Sequence, residues 1–464
     1  MATRLRVLHA IHDFLPRHQA GSEIYAATLA KSLQRRGHHV TILAATYDPV
    51  RRHGETIWRV FDGLPVVEVV NNWTFDGFAS AWSAEELDRV FEAVLDATGP
   101  DVLHCHNLLN LSLALPAIAR ASGAAVVGTL HDYTLVCPSG GQRIHKAERH
   151  VCHTIEPDRC ARCFRQSPFH AQMLFGRALT RPGGGLAARL AIGARRHAPG
   201  LMNRLASAAA HVERDLGPSA EQISARLDAA RAAFAEFDYV AAPSRALARE
   251  FARLGFETAR LAVSDYGFPI QPPRHRAPGT GPLRVGYVGT LVWHKGVHTL
   301  IEAVHRVPAG RIETLIFGDT ETFPDYTAEL RRLATGASVR FMGRFDRDDS
   351  AAVYDQLDVL VVPSIWLENS PLVIHEAFMA GVPVVWSRIG GIPDLVEDGI
   401  SGLLVDPGSP DALAQALEML AADRPRLEAM AERLPAVKSI DEDAREWEEI
   451  YRSLASRTPR GAAS

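Results

Sequence analysis

The sequence predicts an α/β protein built from two Rossmann-like, parallel-sheet domains facing across a cleft. Three observations carry this. At 464 residues the chain exceeds one ordinary core and suits two domains of about 200 residues each. Short apolar runs alternate with amphipathic stretches, once from Arg6 and again from Leu283, and strands alternating with helices imply parallel sheets. Between the two series lies Gln271-Pro-Pro-Arg-His-Arg-Ala-Pro-Gly-Thr-Gly-Pro282, the clearest linker in the chain. The expected division is therefore a first domain over 1–270, a linker over 271–282, a second domain over 283–437, and a C-terminal helix and tail over 438–464. The cleft that two such domains enclose is a common place for a small-molecule site.

Composition narrows the function classes. Hydrophobic residues make up 47% and charged residues 22%, with a net charge of −4 and a pI near 6.6. Nucleic-acid-binding domains tend to be clearly basic, so no nucleic-acid partner is expected. The opening Met-Ala-Thr-Arg-Leu-Arg-Val-Leu-His has no apolar core long enough for a signal peptide. No apolar run approaches the ~18 residues that span a bilayer. The expectation is a cytoplasmic protein, whose five cysteines are thiols or metal ligands rather than disulfides.

In the first domain, Arg6–His12 reads as a buried strand, 22–36 as a helix stopped by Gly37, and His39–Ala45 as the next strand. Gly21 opens that helix, where the absence of a side chain lets a diphosphate or an acceptor approach the backbone; a tight turn explains it equally well. Further strands are expected at Val66–Val70, Val102–Cys105, Ala125–Leu130 and Tyr239–Ser244, with a helix from Arg245 to Leu254. His131 follows the strand from Ala125, and ligands bind at the carboxyl ends of strands in open α/β sheets. It becomes a candidate hydrogen-bond partner for a ligand, against an ordinary structural or surface histidine.

Residues 137–232 read as an insertion with two distinct parts. Cys137, Cys152, Cys160 and Cys163 lie in a polar stretch, and the final Cys-x-x-Cys has zinc-knuckle spacing. Structural zinc and reduced loop thiols both stay open. From His170 to Val212 there are six arginines and no Asp or Glu, interrupted by Pro182-Gly-Gly-Gly185. Short basic helices of this kind lie on anionic lipid, which would place the protein at the inner membrane face, or pack on the protein itself.

In the second domain, strands are expected at Leu283–Gly289, Glu313–Phe317, Val339–Met342, Val359–Val362 and Val384–Trp386, with helices at 297–306, 326–334, 348–357, 371–380 and 410–422. Its central stretch is Glu368-Asn-Ser-Pro-Leu-Val-Ile-His-Glu376, where a buried strand gives way to a helix. Ser370 is expected as N-cap and Pro371 as the first helical residue. Free amides at a helix mouth attract phosphate, whereas the flanking Glu368 and Glu376 would repel it and suit hydroxyl groups. A site for a phosphate-bearing, hydroxyl-rich ligand follows, against a simple capped helix with solvated acids. An oxidoreductase with two dinucleotide domains is disfavoured, because neither opening strand leads into Gly-x-Gly-x-x-Gly.

Taken together, Gly289-x5-Lys295-Gly296, Phe317-Gly-Asp319, Phe341-Met-Gly343, Pro363-Ser364, the Glu368-x7-Glu376 pair, Gly381-Val-Pro-Val-Val and Gly390-Gly391 resemble the family-4 glycosyltransferases of GT-B fold. The resemblance covers most of the chain and is strongest from Gly286 to Asp406. It implies retaining transfer of a sugar from a nucleotide diphosphate sugar to a glycan or lipid-linked acceptor, with no metal or other cofactor required for catalysis. By the same resemblance, Lys295 and the amides at Ser370, Leu372 and Val373 hold the diphosphate, with Gly21 and Gly289 nearby. Glu376 holds the ribose, Glu368 the donor sugar, and Gly343, Arg344 and Phe345 line the base, while His131 faces the transferred sugar. Lys295, Glu368 and His131 are thus the residues implied in catalysis. Members of the family often carry arginine where this chain has Thr290, and Arg344 or His294 are candidates for the missing charge. A GT-B epimerase acting on a nucleotide sugar and a non-catalytic nucleotide-sugar-binding protein remain as alternatives.

Overall fold

The computed structural model describes residues 4–179, 217–270, 281–346 and 349–457. The chain divides into two compact units. One comprises 1–242, 248–264 and 440–464, and the other 243–247 and 265–439. The linker core at 271–280 and most of the basic segment, 180–212, lie outside the described residues.

The first unit holds an eight-stranded sheet in the order β10-β9-β6-β5-β1-β2-β4-β3. Its strands are β1 (Arg6–Ile11), β2 (His39–Thr46), β3 (Thr56–Phe61), β4 (Leu64–Val70), β5 (Val102–Cys105), β6 (Ala125–Thr129), β9 (Tyr239–Ala242) and β10 (Leu261–Val263). All neighbours are parallel except the edge pair β3–β4. That hairpin, absent from the sequence expectation, turns on Asp62 (φ 47°) and Gly63 (φ 80°). Positive φ at both central residues is the requirement of a type I′ turn, which Asp-Gly meets. Strands β7 (Ile144–His145) and β8 (His150–Val151) form a separate small hairpin. Helices α1 (Gly21–Arg35), α2 (Glu85–Thr98), α3 (Leu115–Ala121), α4 (Pro157–Arg165), α5 (Pro168–Leu179), α6 (Ala220–Ala235) and α7 (Arg245–Arg253) connect these strands.

In the second unit, β11 (Leu283–Val288), β12 (Ile312–Phe317), β13 (Val339–Gly343), β14 (Val359–Val362), β15 (Val384–Ser387) and β16 (Gly402–Val405) form a parallel sheet in the order β13-β12-β11-β14-β15-β16. Its helices are α8 (Val297–Val304), α9 (Pro324–Leu333), α10 (Ser350–Tyr354), α11 (Leu372–Met379), α12 (Pro410–Ala422) and α13 (Arg424–Ala431). Strand alternation sorts the core into two layers. Val359 and Val361 pack with Leu300 and Leu417 on one face, while Leu360 and Val362 pack with Ile374 and Phe378 on the other. The strand order reverses between β11 and β14, and the carboxyl ends of strands at such a reversal form a natural crevice.

The final helix, α14 (Ile440–Ala455), returns to the first unit. Ile440, Ala444, Trp447 and Tyr451 make one buried stripe at helical spacing. Polar pairs cross that contact as well. Tyr25 Oη donates to Asp443 Oδ2 at 2.8 Å and accepts from Trp447 Nε1 at 3.1 Å. Glu448 sits beside Arg452 (2.6 Å), Arg36 and His38. Burial alone would raise this carboxyl, but hydrogen bonds from Arg452 and Arg36 hold it at about 2. A carboxylate depressed in the folded state stabilises it above the unfolded value, near 4.5 here, and that contribution fades as pH falls through the folded value. Glu448→Gln is therefore expected to lower the melting temperature by roughly 2–4 °C at neutral pH. Melting curves of both proteins should converge as the pH drops from 4.5 towards 2; a constant difference across that window would contradict the assignment.

Candidate functional site

The crevice of the second unit is built around one buried carboxylate. After β11 the chain passes Gly289, whose φ of +153° is foreign to side-chain-bearing residues, and Tyr287 Oη donates to the Thr290 carbonyl at 2.8 Å. A single 3₁₀ turn, Trp293–Lys295, ends at Gly296 (φ +72°). A Cβ there would lie 1.8 Å from the Pro363 carbonyl oxygen, so the turn is pressed onto the end of β14. This brings Lys295 Nζ to 2.6 Å from Glu368 Oε1, which also accepts from Ser364 Oγ at 2.6 Å. The ammonium stands 5.1 Å from the Trp366 ring centroid, within cation–π range. Glu368 is 4% exposed, and a buried charge persists only when paired in this way.

The loop carrying Glu368 is clamped from the other side. Gly391 N donates to the Glu368 carbonyl at 2.8 Å. A Cβ on Gly390 (φ +60°) would lie 2.0 Å from that same carbonyl oxygen, and one on Gly391 would lie 2.0 Å from the Asn369 carbonyl. Asn369 Oδ1 in turn accepts from Ser244 Oγ at 2.8 Å.

Helix α11 begins one residue later than expected. Pro371 (φ −68°, ψ 124°) is the N-cap and Leu372 the first helical residue. Ser370 does not cap because its hydroxyl is already engaged. Its Oγ donates to Asp265 Oδ1 at 2.7 Å and lies 2.9 Å from His375 Nε2. The first-turn amides at Leu372 and Val373 are those that helix geometry leaves without an intrahelical acceptor. Glu376 accepts from Tyr354 Oη at 2.9 Å, so the two acids of the sequence pair have separate partners. Gly343 (φ +81°) ends β13, its carbonyl accepting from Gly318 N at 2.9 Å. Arg344 is exposed and electrostatically favours ionised Asp319. Thr290 is exposed, whereas His294 is buried with its ring 5.4 Å from Trp366.

The first unit places its candidates at its own reversal of strand order, between β1 and β5. Gly21 is the first residue of α1, and Glu23 reaches back to the helix start by accepting from Ala20 N at 3.1 Å. His12 and His18 lie 3.3 and 3.2 Å from its other oxygen. Despite complete burial, these two histidines keep Glu23 below the usual carboxylate range. His131, two residues beyond β6, shares a hydrogen bond with His106 (Nε2 to Nδ1, 3.1 Å), and His106 shares another with His9 (3.1 Å). Burial pushes His131 and His9 down to about 3, so this chain of imidazoles is neutral at physiological pH. Neighbouring Asp132 is lifted to about 6 by burial, although Thr134 N (2.7 Å) and Asn107 Nδ2 (3.2 Å) both donate to it. Those residues line a small cavity with Thr129 and Leu130.

Sequence reasoning assigned no role to Ser364, Asp265, Tyr354, His375, His106 or Asp132. The His-x-His of β5 and the Pro363-Ser364 dipeptide were signals for two of them; Asp265 and Tyr354 meet their partners only through the fold. A test of the clamp compares two glycines of similar backbone geometry. Gly390→Ala adds the 2.0 Å clash to the strain of φ +60°, whereas Gly381→Ala at φ +71° meets nothing within 4 Å. Gly381→Ala should cost about 1 kcal/mol and Gly390→Ala several times that, read as the difference in denaturation midpoints. Equal losses would show that the Glu368 loop is not held by this contact.

Comparison with known proteins agrees with both units. Residues 20–174 match the model described as Glycosyltransferase Family 4, and residues 282–423 match Glycosyl transferases group 1. The chain is 37% identical over 191 residues to D-inositol 3-phosphate glycosyltransferase of Corynebacterium urealyticum, covering 39% of this chain and 45% of that one. It is 31% identical over 207 residues to the lipopolysaccharide core biosynthesis glycosyltransferase LpsE of Rhizobium meliloti, covering 43% and 58%. The chain thus spans about half the length of these curated relatives. Among solved structures, HepE of Anabaena in complex with UDP and glucose superposes with a TM-score of 0.61 at 18% identity, covering 97% of this chain and 100% of that one. Sucrose-phosphate synthase of Thermosynechococcus elongatus gives 0.64 at 19%, covering 98% and 100%. At such identity these two likenesses speak to the fold, which is GT-B. The chain therefore belongs to the glycosyltransferases, with a family 4 domain in its first unit and a group 1 domain in its second.

Proposed function

We propose that this protein is a retaining glycosyltransferase that moves a sugar from a nucleotide diphosphate sugar to a glycan or lipid-linked acceptor in cell-surface polysaccharide assembly. The observation that carries this reading is the Lys295–Glu368–Ser364 cluster beside the first turn of α11. Departure of the nucleotide diphosphate leaves negative charge on the β-phosphate, and a positioned ammonium together with helix amides is suited to absorb it. Lys295 and the Leu372 and Val373 amides take that role, while Glu368 accepts from donor-sugar hydroxyls and Glu376 from the ribose. The backbone at Gly343 and Arg344 lines the base, with Gly289 and Thr290 beside the phosphates. From the first unit, Gly21 contributes a side-chain-free approach to phosphate, and His131 contributes a neutral imidazole to the transferred sugar. The acceptor oxygen bonds to the anomeric carbon as the carbon–phosphate oxygen bond breaks, and the acceptor proton leaves on the phosphate. Catalysis through these groups asks for no metal.

Support for the donor class comes from HepE, whose structures contain UDP and UDP-glucose. Support for the acceptor class comes from LpsE and from the lipopolysaccharide outer core galactosyltransferase WaaB, the latter a fold likeness with a TM-score of 0.56. No described helix is long and apolar enough to cross a membrane. Contact with a membrane-borne acceptor through the basic segment 170–212 is part of the proposal.

Hydrolysis of UDP-, GDP- and ADP-sugars by the purified chain should single out one donor. With that donor, Lys295→Ala should reduce kcat by about 10²–10³-fold in a chain that still folds, with a lowered melting temperature because Glu368 loses its buried partner. Near-normal turnover would remove Lys295 from the mechanism. Conversion of the donor into an epimeric sugar without any acceptor would mark an epimerase instead, and calorimetry finding no nucleotide sugar or nucleoside diphosphate that binds would overturn the reading altogether.

A further inference from the structure

The segment from Tyr133 to Arg165 folds with very little regular structure of its own. Its hairpin, β7 and β8, has two residues per strand, far below what is independently stable in water. Yet it brings together four of the five cysteines. Cys137 precedes Pro138 and a turn at Gly140 and Gly141 (φ +98° and +78°), with Gly141 N donating to the Cys137 carbonyl at 3.3 Å. Cys152 directly follows β8, and its amide donates to the Arg143 carbonyl at 2.8 Å. Cys160 and Cys163 stand three residues apart on α4, the spacing that puts both on one face of a helix. All four line a single cavity together with Val136, Ile144 and Ile155, and none is in a disulfide.

We propose that Cys137, Cys152, Cys160 and Cys163 bind one structural zinc ion, the chain supplying a closed tetrahedral thiolate site from a turn, a hairpin end and a helix face. Four thiolates around a divalent cation carry a net charge of −2, and the surroundings are cationic to match. Arg143, Arg159 and Lys146 lie within electrostatic reach of the thiols. Arg226 is buried beside Cys137 and Cys160 and donates to the Thr134 and Leu135 carbonyls at 2.7 and 3.1 Å, anchoring the chain before Cys137. Zinc is bound by thiolates, so the metal displaces the thiol protons as it binds. Sulfurs 2.3 Å from a tetrahedral ion stand about 3.8 Å apart. Among the described residues, the triplets of ligand atoms within 4.8 Å of one another consist of histidines and Glu23, so binding must draw the four sulfurs inward around their cavity.

The experiment is elemental analysis of the full-length chain purified under reducing conditions, which should contain about one zinc per molecule. Cys160→Ser should lose that zinc, while Cys105→Ser, on β5 outside the cluster, should retain it. Because Cys160→Ser can fail to fold, the wild-type chain exchanged with cobalt supplies a second readout: a sulfur-to-cobalt charge-transfer band is expected. Less than ~0.1 zinc per folded chain, iron in place of zinc, or disulfides among these four residues by mass spectrometry would each overturn the proposal.

Discussion

The second unit is organised by the need to keep one carboxylate charged while it is almost completely out of water. Glu368 solves this with Lys295 and Ser364 on a single oxygen, and that geometry constrains the chain on every side. The lysine must arrive from the loop after β11, so Gly296 must let that loop touch the end of β14. The glutamate must not drift, so Gly390 and Gly391 close against its backbone and against Asn369. Breaking one partner of a buried pair costs far more than the pair contributes to stability. Its retention is therefore better explained by what it positions: an ammonium, a carboxylate and a helix end within one crevice.

Polar burial in the first unit follows the opposite rule. His9, His104, His106 and His131 are held together by hydrogen bonds and stacking, with the His104 and His106 rings 4.2 Å apart. Like-charged neighbours and loss of solvent both disfavour imidazolium, so the cluster is stable because it is neutral. His104 bridges Thr129 and Tyr451, which ties the last helix to the strand ends of the central sheet. The histidines thus present neutral donors and acceptors at the carboxyl edge of the sheet, while Glu23 stays ionised at the start of α1. A surface of that kind selects hydroxyl groups over ions, which suits the sugar contact proposed for His131.

Much of this architecture was legible because it is written locally. Apolar runs gave most of the sheet strands of both units, and glycine with proline marked where chain segments end. The Asp62-Gly63 turn was equally readable from its two residues and went unread; the strand it serves lies at the sheet edge, with Trp58 and Val60 exposed, so hydrophobic periodicity gives it little weight. Ser370 shows the other limit. A serine before a proline and a helix has the local signature of an N-cap, and only Asp265, 105 positions away, reveals why its hydroxyl is spent elsewhere. Likewise, Lys295 and Glu368 could each be singled out by motif, yet nothing local joins residues 73 positions apart.

That pairing also bears on how a donor would be received. In the proposed role the ammonium must serve a diphosphate, so part of its attraction to Glu368 is exchanged for attraction to phosphate when the donor binds. Lysine suits such an exchange because its donors turn on a flexible stem, whereas the planar fork of arginine favours a fixed bidentate partner. Lys295 is also the more accessible member of the pair, at 25% exposure against 5% for Glu368, so the mobile end of the ion pair is the one that reaches solvent. Glu368 does not lose its position when Lys295 turns away, because Ser364 continues to donate to it and the Gly390–Gly391 clamp acts on its backbone. The carboxylate is thus held by contacts independent of the ammonium, and the residue free to move is the one whose charge the departing diphosphate would require.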